Sequence, residues 1–269
     1  MANVYQTIYQ ETLKYLINKV GKEYVGDHLK NETNCSPEIK TMNDLFHIFL
    51  NAVISTKRMK EAIGPVDHLR DLMQGFDPIK LCSHYGENWE LLAAKIKDQQ
   101  AGTGLKGGSN LENYWAYWEM FCKTALSGAC FFSQLKTVKT FKAFVKGFQY
   151  NEMTTAVLPL LLQKEISGFT FSSACTFLAE AGFCDYIAPD PKVKSILYDI
   201  EMIETKENYE LLKTLITIAR VNGEKPKRVN KLFWMIAADK LSEQEDKNNN
   251  LRNEFINHIT SILAKSPQT

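Results

Sequence analysis

Between Ile166 and Val193 the chain reads ISGFTFSSACTFLAEAGFCDYIAPDPKV, and three devices with chemical use fall inside that span. Gly168 breaks two apolar stretches, Pro159 to Lys164 before it and Phe171 to Gly182 after it. Ala174, Phe177, Leu178 and Ala181 repeat at helical spacing in the second stretch. Two short helices about a tight turn make a phosphate-binding device, because the second helix starts with free N–H groups at its positive end. Thr170, Phe171 and Ser172 carry those groups. Asp190-Pro191 is the third device, an N-cap with proline at the first helical position. Each piece alone has a structural use: Gly168 as a helix-ending glycine, Ser172 and Ser173 as small residues near a helix start, Asp190 as a cap.

Basic residues cluster twice. No acidic residue stands between Glu119 and Glu152, while Lys123, Lys136, Lys139, Lys142 and Lys146 do. At about 100° per residue, the last four occupy an arc of roughly 120° on one helix. Val138, Phe141, Phe144, Val145 and Phe148 lie opposite. Such a face either meets water or tracks nucleic-acid phosphates, adding affinity without sequence information. Arg220, Lys225, Lys227, Arg228 and Lys231 form the second cluster, with only Glu224 among them.

The hairpin and the aspartate together resemble the helix-hairpin-helix base-excision DNA glycosylases. Their hairpin reads roughly L-P-G-x-G-x-K/S-T-A, and a catalytic aspartate follows its second helix. Ile166, Ser167 and Gly168 take the Leu-Pro-Gly places, and Thr170 takes the second glycine. Ser172, Ser173 and Ala174 take the K/S-T-A, Leu178 and Gly182 the apolar and helix-ending positions, and Asp190 the aspartate. The likeness covers roughly Leu45 to Asp239, with Leu45 to Thr56 in place of the family's first apolar helix. It departs at Thr170, at Pro191-Lys192 where x-His is usual, and at Ser172 where lyase members carry lysine.

The resemblance implies an all-α fold with two helical lobes around a cleft. Residues 41–184 would form the lobe carrying the hairpin (about 157–182). Residues 1–40 and 185–269 would form the other, bearing Asp190. It implies a monomer that binds double-stranded DNA through Gly168, Thr170, Phe171 and Ser172, with Lys136, Lys139, Lys142 and Lys146 on the backbone. A damaged or mismatched base would be turned out and excised. Asp190 would stabilise the oxocarbenium-like state and orient water, and Ser172, lacking an amine, would leave a monofunctional glycosylase. No cofactor is implied beyond a monovalent cation on the turn carbonyls. No cysteine follows Cys184, so the iron–sulfur loop of some members is absent. Two other readings stay open: a non-catalytic hairpin protein that binds nucleic acid, and a helical protein-interaction module.

Composition sets the frame. The 269 residues suffice for one sizeable domain or two lobes. A net charge of +1 means that any DNA site must come from local clustering. The six cysteines form no CxxC pair and no metal-ligand spacing, so no metal site is expected. Free thiols in a reduced intracellular compartment, cytoplasmic or nuclear, are the simpler expectation. The N-terminal MANVYQTIYQETLK lacks the apolar core of a secretion signal, and no apolar run spans a bilayer.

Helical periodicity runs through nearly all of the chain. It predicts helices over Tyr5 to Val20, Leu45 to Ile54, Val66 to Met73, Trp89 to Ile96 and Leu111 to Leu126. Further helices fit Val138 to Phe148, the hairpin, Val193 to Ile203, Tyr209 to Val221, Lys227 to Leu241 and Leu251 to Leu263. Ala101 to Gly108 and Ser242 to Asn250 read as connectors, and Ser109 to Glu112 has capping-box spacing.

Overall fold

The computed structural model describes residues 4–30, 39–103, 111–237 and 251–264, the side chains of 99–103 and 111–113 excepted. Among these residues every regular element is helical and no strand forms. The helices are α1 (Val4–Val20), α2 (Lys22–Lys30), α3 (Met42–Val53), α4 (Lys57–Ile63), α5 (Pro78–Tyr85), α6 (Trp89–Thr103) and α7 (Leu111–Leu135). Then follow α8 (Val138–Phe148), α9 (Glu152–Glu165), α10 (Phe171–Glu180), α11 (Pro191–Asp199), α12 (Asn208–Val221), α13 (Pro226–Ala237) and α14 (Leu251–Leu263). They fall into two compact units. One holds residues 1–35, 151–156 and 184–269, the other 36–150 and 157–183.

The first unit packs α1, α2 and α11 to α14 around Leu16, Leu197, Leu215, Phe233 and Phe255, all buried. A polar cluster borders this core. Tyr9 donates to Glu224 at 2.9 Å, and Arg228 pairs with the same carboxylate at 3.2 Å. Burial pushes the Tyr9 hydroxyl above its ordinary pKa.

The second unit is built on interlocked phenylalanine rings. Phe49 of α3 meets Phe132 of α7 at 5.1 Å and Phe177 of α10 at 5.8 Å between centroids, and Phe141 of α8 meets Phe177 at 5.7 Å. Gly128 lets α7 approach α3, since a Cβ there would stand 2.4 Å from the Phe49 ring. Short polar residues start the helices. Thr41 and Asp44 cap each other's backbone at α3, and the Thr41 hydrogen bonds hold the Asp44 carboxyl below its ordinary pKa.

Several sequence expectations change. Val66 to Met73 forms only a 3₁₀ turn over Val66–Leu69, followed by the left-handed Gln74 and Phe76. Three short helices, α2, α4 and α5, are additional. The helix before the hairpin is longer than Pro159 to Lys164 and carries Pro159 inside it. Residues 104–110 and 238–250, which include most of the two connectors and the start of the Ser109 capping box, lie outside the described residues. The free-thiol expectation holds for buried Cys122 and Cys175. It fails for Cys82 and Cys130, which form a disulfide with Cα atoms 5.1 Å apart, and for Cys184, also disulfide-bonded. No helix among the described residues is long and apolar enough to cross a membrane.

Candidate nucleic-acid interface

The chain leaves α9 through Ile166 and turns at Gly168, whose φ of 75° is the left-handed conformation glycine permits. The turn is tied to α7: the Ser167 N–H donates to Ser127 Oγ at 2.9 Å. Phe169 donates back to the Ile166 carbonyl at 3.1 Å and buries its ring against Phe49 at 4.9 Å. Thr170 then caps α10, its hydroxyl accepting from Ser173 N at 3.1 Å. Thr170 thus has a structural use as the α10 cap.

The hydrogen bonds around the turn are unevenly shared. The N–H groups of Ser167, Phe169 and Ser173 are satisfied as described. Those of Gly168, Thr170, Phe171 and Ser172 find no acceptor among the described residues. Four free donors therefore lie at or just before the positive end of a ten-residue helix. The Ser167 and Gly168 carbonyls accept no hydrogen bond there either, so oxygens for a monovalent cation are available. No group of His, Cys, Asp or Glu able to hold a metal occurs among the described residues.

Gly168 and Met120 of α7 border two hollows. One, of about 260 Å³, also takes in Lys57, Arg58, Tyr117, Thr170 and Ser173. The other, of about 320 Å³, includes Lys123, Glu119 and Ser167. Lys123 is engaged there by Glu119 at 2.6 Å and by the Trp89 ring at 4.5 Å.

The lysine row needs a correction. Thr137 caps α8, so Lys136 precedes the helix, with a left-handed φ of 59°, and does not share its basic arc. Lys139, Lys142 and Lys146 do share it. They line a groove of about 630 Å³ over Ile39, Val138 and Ala143, joined by Lys40. The second basic cluster is largely engaged inside its own unit. Arg220 pairs with Glu152 at 3.5 Å, Arg228 with Glu224, and Lys231 sits 4.1 Å from the Trp234 ring centroid.

Asp190 belongs to the first unit. Its Oδ1 accepts from Lys192 N at 2.7 Å and Val193 N at 3.2 Å, capping α11 before Pro191. Asp77-Pro78 builds the same cap on α5, with Asp77 Oδ1 accepting from Ile79 N and Lys80 N. The cap alone therefore marks nothing functional. The second oxygen separates the two aspartates. Asp77 Oδ2 faces Lys80 Nζ at 3.7 Å, whereas Asp190 Oδ2 has no hydrogen bond or ion pair among the described residues. Nearby Lys194 is turned to Asn208 instead.

The aromatic and histidine side chains of the second unit mostly serve its packing. Trp118 and Phe121 are buried, Trp115 is exposed, and Tyr117 reaches the hollow beside the turn. His47 pairs with Asp67 at 3.3 Å and packs on Phe76. Burial pushes the His68 imidazole below its ordinary pKa. Sequence reasoning missed Lys40, Lys57, Arg58 and the packing of Thr124 and Ser127 on the turn. Comparisons of the chain with protein-family models, curated proteins and solved structures find no match.

Proposed function

We propose that this chain is a monofunctional DNA glycosylase-like protein of base-excision repair, with a helix-hairpin-helix fold of that kind. It binds double-stranded DNA as an intracellular monomer and excises a damaged or mismatched base. The observation that carries this reading is the set of free N–H groups on Gly168, Thr170, Phe171 and Ser172 at the start of α10. They suit one backbone phosphate, with a monovalent cation on the turn carbonyls and the α8 lysines on neighbouring phosphates. Asp190 Oδ1 fixes the carboxylate through the α11 cap, while Oδ2 stabilises the developing sugar cation and orients the attacking water. Ser172 supplies no amine, so strand nicking does not follow base release.

Single-turnover base release from a panel of lesion-bearing duplexes tests the reading. Asparagine caps a helix about as well as aspartate, so Asp190→Asn should keep stability within about 1 kcal/mol. Base release should fall by orders of magnitude while DNA binding persists. Release at the parent rate would leave Asp190 as a cap alone. Binding without release from any lesion would favour the non-catalytic hairpin protein, a reading supported by Thr170 serving the helix rather than sparing space for a phosphate.

A further inference from the structure

The Cys82–Cys130 disulfide ties α5 to α7, which pack along each other within the second unit. Both cysteines are half-buried, so the bridge borders solvent, whereas the free thiols Cys122 and Cys175 are buried. It closes a long stretch of chain, its cysteines lying 48 residues apart. Helix α5 has only eight residues, too few to hold its place by its own hydrogen bonds. Packing and the bridge fix it against α7.

The α7 end of the bridge lies on the stretch that seats the hairpin. Cys130 stands about one helical turn beyond Ser127, whose Oγ accepts the Ser167 N–H at 2.9 Å. About one turn before Ser127, Thr124 abuts Gly168. Gly128 meets the Phe49 ring, on which Phe169 and Phe177 both pack. One short length of α7 is therefore bound covalently to α5 and, through these contacts, to the turn.

We infer that the Cys82–Cys130 bridge is a thiol-sensitive latch on the hairpin. Closed, it fixes the stretch of α7 that seats the turn; reduced, it frees that stretch and loosens the phosphate-binding donors. The inference rests on the proposed intracellular, DNA-binding function for its setting. There small thiols keep cysteines reduced, and the bridges that do form are mostly transient or redox-sensing. Opening consumes two small-thiol molecules. The first, as thiolate, attacks one sulfur, forms a mixed disulfide and displaces the other cysteine as a thiolate, which takes a proton. The second resolves the mixed disulfide, leaving two cysteine thiols and one oxidised small-thiol dimer. The bridge thereby gains two electrons from the small thiols.

Amide hydrogen exchange tests the latch without DNA. Ser167 and Phe169 carry bonded N–H groups in the turn, and Leu215 and Phe233 report on the other unit. Cys82→Ala with Cys130→Ala removes this bridge and leaves the Cys184 disulfide in place. In that variant Ser167 and Phe169 should exchange at least about tenfold faster than in the parent, while Leu215 and Phe233 keep the parent rate. Affinity for a paired duplex should fall by about fivefold or more. In the folded parent, dithiothreitol should open Cys82 and Cys130 to alkylation, read by mass spectrometry. If the double variant does not fold, the parent in graded dithiothreitol, with those two thiols counted at each step, supplies the same comparison. A bridge that stays closed in the folded protein, or hairpin amides that keep the parent rate without it, overturns the latch. Equal acceleration at Leu215 and Phe233 makes the bridge a general staple and overturns it too, as does faster exchange with unchanged duplex affinity. A parent that binds no duplex sinks the DNA reading of the hairpin, and the exchange rates still decide the latch.

Discussion

A Cβ on Gly168 would stand 2.4 Å from the hydroxyl oxygen of Thr124, so the hairpin turn and α7 touch where only a hydrogen fits. Gly168 is thus fixed twice, by its positive φ and by its neighbour. Gly168→Ala should cost about 2–3 kcal/mol, from left-handed strain and overpacking together. Thr124 donates to the Met120 carbonyl at 2.8 Å, and Thr124→Ala alone should cost about 1 kcal/mol. In the double variant the collision is relieved and the strain remains. Denaturant unfolding of the four proteins should therefore show a favourable coupling of about 0.5 kcal/mol or more. Simple additivity would mean the turn moves away from α7 at little cost.

The groove over α8 should behave as an electrostatic surface. Changing Lys40, Lys139, Lys142 and Lys146 to Gln should weaken duplex binding and reduce the log–log salt slope by about 0.9 for each phosphate no longer neutralised. Lys136→Gln alone should change the slope less than any of the groove lysines, because it lies off the helix. An unchanged slope in the quadruple variant would assign the groove to solvent.

Burial pushes the Cys122 thiol from its ordinary 9.0 up to about 12. Its thiolate is then roughly a thousandfold scarcer than that of an ordinary thiol at neutral pH. In the native protein Cys122 should resist iodoacetamide and react only on unfolding. Mass spectrometry of timed alkylation reads this directly, and rapid native labelling would contradict the buried placement.

His68 gives a pH dependence of defined sign. Desolvation is the main cause of its lowered pKa, opposed by the Asp67 charge and by a hydrogen bond that the imidazole donates to the Pro65 carbonyl. Above the ordinary imidazole value of about 6.5 both folded and unfolded states are neutral, and its contribution is complete. As pH falls from there toward the folded value, the unfolded state takes the proton first and stability declines. His68→Gln should flatten that decline in urea midpoints measured between about pH 7 and 5. Parallel pH curves for the two proteins would remove His68 from the account.

The legible parts of the fold carried their causes locally. Val138–Phe148 and Leu251–Leu263 form over the span that their apolar spacing predicts, and Pro226 opens α13 as its fixed φ allows. The turn at Gly168 and the cap at Asp190 were readable for the same reason. Helix α4 has only seven residues, too few for a period to declare itself. Helix α5 opens on Asp77-Pro78, the same signature as Asp190-Pro191, but its eight residues are also too short for a clear stripe. The approach of Gly168 to Thr124, and of Lys40 to the α8 lysines, joins segments distant in sequence. No local pattern encodes such pairings. The engaged Arg220 and Arg228 show the limit in the other direction: a run of basic residues reveals neither which charges face water nor which face a carboxylate.

Phe169 of the turn and Phe177 of α10 both pack their rings on Phe49, anchoring the segment that carries the free N–H groups. The consequence is kinetic. Donors mounted on interlocked rings are in place before a strand arrives, so no disordered loop has to be arranged at the moment of encounter. Association through the hairpin should be a single exponential whose rate rises linearly with DNA concentration, with no plateau from a preceding rearrangement.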